Sequence, residues 1–168
     1  NFIEKYPLTK YRDLAVIYRD SLVYSRIANA NEIPLLYDYL DKYPNSFYVP
    51  NVIELIDSLS FYLVKKSKSL DKVNNFMMNN PNSRFIDDAV VEANILAYKM
   101  SDEVNTIEAY NKFVEARPLA IESETAIEQR NILAFLEATD TQSIDTLQHY
   151  IDYYPNSDHS EMAMIKRT

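Results

Sequence analysis

The side chains able to do chemistry in this chain are few in kind. His149 and His159 are the only imidazoles, and there is no cysteine. Carboxylates are plentiful, and some stand close together, as Asp87 with Asp88 and Glu122 with Glu124. General acid–base work needs a carboxylate whose pKa is moved by its surroundings, usually by burial. These pairs fall instead at predicted helix starts, where an acid opposes the positive end of the helix dipole. The histidines fall in different predicted helices with no ligand set around them, so no metal site is expected. Without cysteine there is no thiol catalysis, disulfide or zinc-thiolate site. Without glycine there is no glycine-rich phosphate loop. The chain therefore reads as non-enzymatic and cofactor-free.

Two further sets of side chains recur at one spacing. Asp20, Asp57, Asn94 and Asn131 form a polar column, each 37 residues from the next. Such side chains offer acceptors and, in Asn, donors, so a ladder of them can bond the backbone of an extended peptide. The plainer alternative is that they are solvated or bond a neighbouring helix. Tyr11, Tyr48 and Phe85 begin a second column, continued by Glu122 and His159. An exposed strip of aromatic rings is a common interaction hot spot; equally, these rings can pack on the end of the preceding helix.

The elements that must position these columns are set by proline. Five of the seven prolines, Pro7, Pro44, Pro81, Pro118 and Pro155, are spaced by 37 residues without interruption. A fixed period in this range marks a repeat architecture. Five residues before each proline stand Phe2, Tyr39, Phe76, Phe113 and Tyr150, and four before stand Ile3, Leu40, Met77, Val114 and Ile151. After the prolines come Ala15, Val52, Ala89, Ala126 and Ala163, then Leu22, Leu59, Leu96 and Leu133, then Tyr24, Phe61, Tyr98 and Phe135. In the third repeat Ala89, Val90, Ala93, Leu96 and Ala97 trace one helical face. Ile107, Tyr110, Phe113 and Val114 trace a second. Each repeat is therefore two helices. A long one starts about three residues past the proline and runs some 18 residues, ~27 Å. A shorter one of about 11–13 residues ends just before the next proline.

Ser46, Ser83 and Ser157 are candidate N-caps of the long helices, and Ser69, Thr106 and Ser143 of the short ones. With no glycine to take a left-handed conformation, helix C-termini must close with Asn or by another device. Units of about 8–44, 45–81, 82–118 and 119–155 follow, with partial units 1–7 and 156–168, in a single repeat domain spanning 1–168. Both ends cut a unit. A fragment of a longer array is therefore expected, and self-association through the cut ends would follow. The unit around Pro118 repeats least, since Arg117-Pro118-Leu119-Ala120 replaces Tyr/Asn-Pro-Asn-Ser.

Net charge is −8 and the pI about 4.8. A nucleic-acid partner needs a basic face, and the one cationic cluster, Lys65, Lys66 and Lys68, sits at a predicted helix end that it neutralises. Nucleic acid and anionic membrane are disfavoured as partners. No stretch is long and apolar enough for membrane insertion.

Tyr39-Leu40-Asp41-Lys42-Tyr43-Pro44-Asn45-Ser46, echoed at Tyr150-Ile151-Asp152-Tyr153-Tyr154-Pro155-Asn156-Ser157, resembles tetratricopeptide-like repeats. The variety it resembles most is that of BamD-like bacterial outer-membrane lipoproteins. The resemblance implies an all-α, right-handed α-hairpin solenoid of about four helix-turn-helix units, with long helices lining the concave face. It implies a scaffold for a protein or peptide partner, at the periplasmic side of a bacterial envelope. Alternatives are a recruiting or regulatory repeat domain of a larger enzyme, or an envelope module that contacts glycan or peptidoglycan. The period departs from the standard 34 residues of that repeat. Ile17, Glu54, Val91 and Glu128 stand where the standard first helix carries glycine, so close helix approach is relocated to the Ala15, Ala89 and Ala126 column. No ligand residue carries over.

Overall fold

The computed structural model describes residues 2–141 and 143–167. Every regular element among them is an α-helix. In order these are α1 (Phe2–Lys5), α2 (Arg12–Ala28), α3 (Ile33–Lys42), α4 (Val49–Ser67), α5 (Leu70–Asn79), α6 (Ile86–Val104), α7 (Ile107–Ala116), α8 (Glu122–Asp140), α9 (Ile144–Tyr153) and α10 (Ser160–Arg167). Long helices alternate with short ones as the proline lattice requires. Each short helix from α3 to α9 has 10 residues, slightly fewer than the periodicity suggested.

The stops are chemically identical. The residue before each proline leaves the helix with extended φ and donates its N–H to the carbonyl of the aromatic residue four before it. These bonds are Tyr43 to Tyr39 (2.8 Å), Asn80 to Phe76 (2.9 Å), Arg117 to Phe113 (2.9 Å) and Tyr154 to Tyr150 (2.9 Å). Proline then takes the second place of a turn, closed by Ser46 N–H on Tyr43 O, Ser83 on Asn80, Ala120 on Arg117 and Ser157 on Tyr154. A second turn follows at once, with Val49 N–H on Ser46 O and Ile86 N–H on Ser83 O.

The consecutive turns displace the start of the long helices to about five residues past the proline, two later than the sequence suggested. Ser46, Ser83 and Ser157 are therefore not N-caps. Their Oγ atoms accept the N–H two residues on, from Tyr48 (3.2 Å), Phe85 (3.1 Å) and His159 (3.3 Å). The short helices keep their expected caps in part. Ser69 Oγ accepts from Lys72 N–H and Thr106 Oγ1 from Ala109 N–H, while Ser143 caps α9 without a side-chain bond.

Between long and short helix the chain passes through a left-handed residue at Asn31 (φ 52°), Lys68 (φ 49°) and Asn105 (φ 50°). These too lie 37 residues apart. Asn suits this conformation through its short polar side chain, whereas Lys68 carries the Cβ clash, ~1–2 kcal/mol, unrelieved.

The chain forms two compact units, Asn1–Ala89 and Val90–Thr168, with the boundary inside α6. In the first, α2 packs on α3 and on α4, and α4 packs on α3 and α5. Its core gathers Ile27, Leu36, Tyr39, Val52 and Ile56. In the second, α8 packs on α7 and α9, and α9 on α10. Its core includes one cluster on Tyr110, Phe113 and Ala126 and another on Ala134, Phe135, Ala138, Leu147, Tyr150, Ile151 and Ala163. In the column of small residues Val52, Ala89, Ala126 and Ala163 are wholly buried, whereas Ala15 is half-buried. The leucine column is uneven: Leu96 is buried but Leu22 is exposed. On α2 it joins exposed Leu14, Ile17 and Tyr18 in one stripe.

Candidate interaction surfaces

The polar column lies closer to the core than the spacing implied. Asp20 is 4% exposed and cannot itself touch a partner. Arg19 Nε and Nη2 both donate to Asp20 Oδ1, at 2.8 and 2.6 Å. The Arg19 guanidinium lies 4.7 Å from the ring centre of Tyr43. Half-buried Asn131 repeats this arrangement, since Arg130 Nε and Nη2 donate to its Oδ1 at 3.2 and 2.9 Å. Arg130 also stacks on Tyr154 at 5.2 Å and donates to Asn111 Oδ1. Half-buried Asn94 receives its arginine from elsewhere: Arg117 Nη1 donates to Asn94 Oδ1 at 2.7 Å. Asp57 is half-buried and has no side-chain bond to the described residues. Asn94 thus ties α6 directly to the end of α7, while Asp20 and Asn131 hold neighbouring arginines that reach Tyr43 and Tyr154.

The hairpin α2–α3 carries a further bond set around Tyr39. Its buried hydroxyl lies 2.7 Å from Ser46 Oγ and donates to Asp20 O at 3.3 Å. Hairpin α8–α9 has the counterpart, with Tyr150 Oη 2.7 Å from Ser157 Oγ and donating to Asn131 O at 3.4 Å. Burial raises the pKa of both phenols, the serine contact partly opposing it. We call this arginine–Asx–tyrosine–serine set a clasp. Where Phe113 replaces the tyrosine, Ala120 replaces the serine. In hairpin α6–α7 the polar contact moves to Tyr110, whose hydroxyl donates to Asp102 Oδ1 (2.8 Å) and Asn105 Oδ1 (3.3 Å). Burial first, and that carboxylate second, push its pKa up to about 12.

The aromatic column also packs internally. Tyr48 stacks on Tyr24 (4.6 Å, 13°) and Phe85 on Phe61 (5.0 Å, 10°). His159 takes the same place beside Phe135 at 5.1 Å. Tyr11 differs: it is 54% exposed, with Lys10 Nζ 5.0 Å from its ring centre. Among the described residues no group of three or more His, Asp or Glu could hold a metal ion. None of their helices is long and apolar enough to cross a membrane.

The second unit carries a groove of about 470 Å³ that residue spacing does not reveal. Its floor is Ile107, Ala134, Ala138 and Tyr150, and its walls include Glu137, Asp145, His149 and Tyr153. Small residues at two adjacent turns of α8 open it. In hairpin α2–α3 the corresponding positions are Val23 and Ile27, and those matching His149 and Tyr153 are Asp38 and Lys42. Tyr153 is 70% exposed and tilts against His149 at 5.5 Å. A scan for positions where the repeats disagree would have found this set, since columns that agree report the core. Asn131 lines a second depression, of about 250 Å³, with Glu124, Glu128 and His159.

Comparison with protein-family models, with curated proteins and with solved structures returns no match.

Proposed function

We propose that this chain is a non-catalytic scaffold of tandem helical hairpins, tetratricopeptide-like in arrangement, that binds a protein partner. The observation that carries the reading is the groove on α8 and α9. It combines an apolar floor with an exposed tyrosine, the residue type enriched at interaction hot spots. It also lies in the hairpin whose surface residues depart from those of its counterpart. The recurring order of long helix, 10-residue helix and proline turn, with left-handed links at Asn31, Lys68 and Asn105, supports the repeat-scaffold part of the proposal.

The test is capture of a partner from the source cell, its purification, and direct binding to this chain. Ala138→Phe, which fills the groove, should weaken that binding at least tenfold, about 1.4 kcal/mol. Its circular dichroism must match the parent. Unchanged binding would move the partner site elsewhere, and turnover by the purified chain would overturn the non-catalytic reading.

A further inference from the structure

The groove's charged walls are of one sign. Glu137 and Asp145 face it, and no lysine or arginine lines it. Neither carboxylate is in an ion pair with a described residue. Lys166 shares a separate depression with Glu137, but its Nζ lies over the Phe135 ring, 5.8 Å from the centre. The groove therefore has an apolar floor, two carboxylates and an exposed tyrosine face.

That combination is complementary to a guanidinium or ammonium on an apolar stem. Carboxylates take the charge, aromatic rings take the cation's face, and the stem lies along the floor. The chain uses the same pairing on itself, with Arg19 over Tyr43 beside Asp20 and Arg84 over Phe85 beside Glu54. The net charge of −8 would speed the approach of a cationic partner.

We infer that the groove of α8 and α9 docks a basic polypeptide segment, an arginine or lysine flanked by apolar residues, between Glu137 and Asp145 and against Tyr153. This rests on the scaffold reading and adds the chemistry of the occupant.

The probe is a synthetic peptide, Ac-Ala-Leu-Arg-Leu-Ala-NH2, with a twin carrying norleucine in place of arginine. Both are titrated into the full ¹⁵N-labelled chain. The arginine peptide should shift amide signals of α8 and α9, and the twin should bind at least fivefold more weakly, roughly 1 kcal/mol. Glu137→Gln with Asp145→Asn should weaken the arginine peptide about tenfold and remove most of its salt dependence. The melting temperature of this double variant should stay within a few degrees of the parent, since neither carboxylate is in an ion pair and Asp145 contributes only at the start of α9.

Equal binding of the twins, an unchanged affinity in the double variant, or shifts confined to other helices would each overturn the inference. So would arginine amide alone binding as well as the peptide, because the occupant would then be a small cation. The two readings fail separately. A purified partner that Ala138→Phe excludes, combined with indifferent twins, removes the basic segment and leaves the scaffold.

Discussion

Hairpins α2–α3 and α8–α9 lie in different units yet close in the same way. Each places an arginine against the Asx residue beside it and the tyrosine before the proline, and each anchors a buried tyrosine hydroxyl between a serine and a main-chain carbonyl. They differ in two respects. The first clasp holds a carboxylate, Asp20, and the second an amide, Asn131. The first hairpin fills its inter-helix surface with Val23 and Ile27, whereas the second leaves a groove over Ala134 and Ala138. Closing the hairpin and shaping its surface are therefore separate tasks, performed by separate residues. One can vary while the other repeats.

The largest expected effect tests whether the clasps are equivalent. Tyr39→Ala and Tyr150→Ala should each cost ~3–5 kcal/mol, the range for removing a buried aromatic. Urea unfolding followed at signals from each unit would report the two costs. A difference beyond about 2 kcal/mol would break the equivalence.

The next contrast is the charge. Arg19→Ala leaves Asp20 buried without its cation and should cost about 2–3 kcal/mol, less than a fully buried pair because Arg19 is partly exposed. Arg130→Ala leaves a neutral amide and should cost about 1 kcal/mol. Adding Asp20→Asn to Arg19→Ala should recover most of the difference. Equal costs for the two arginines would show that the charge at Asp20 has no energetic consequence.

Alkaline titration separates both clasps from hairpin α6–α7. Tyr110 has its pKa raised from 10.0 to about 12, with its hydroxyl on a carboxylate. A raised phenol favours the protonated form in the folded state. Its contribution is whole below pH 10 and lost as pH climbs toward 12. Tyr39 and Tyr150, whose hydroxyls meet serine, are raised by burial with the serine opposing. Absorbance at the phenolate band should show Tyr110 titrating last, and Tyr110→Phe should lower stability at neutral pH while flattening its fall between pH 10 and 12.

The smallest effect concerns the left-handed links. Lys68→Gly should stabilise the chain by up to ~1 kcal/mol, the relieved Cβ strain exceeding the added freedom of the unfolded chain. The same change at Asn31 or Asn105 should gain less, because Asn tolerates the conformation better. Thermal melts of the three variants would rank them.

Much of this fold was legible in the sequence because proline acts locally. Pro44, Pro81, Pro118 and Pro155 each end a helix through their own covalent geometry, so counting them located the short helices closely. The long-helix starts were read two residues early, since Ser46 looks like a cap when only its neighbours are known. Its Oγ is drawn instead to Tyr48 N–H and to a tyrosine seven residues before it. Spacing locates the polar column but not its arginines, since Asn131 takes one from the preceding residue and Asn94 from 23 residues away. One clue was present. Arg19 and Arg130 occur in repeats that end in Tyr43 and Tyr154, while the repeat ending in Arg117 has Ala93 at that place. The groove was not legible from spacing, because it arises from what Ala134 and Ala138 leave unfilled.

The clasp also bears on how the chain acquires its structure. Its bonds join residues only 7 and 19 apart in hairpins α2–α3 and α8–α9, and the arginine tie of α6–α7 spans 23. Loops this short cost little entropy to close, and chains dominated by such near-neighbour contacts fold quickly. Each hairpin can thus complete its tyrosine–serine or arginine tie from its own segment, as soon as its two helices and the following proline turn are formed.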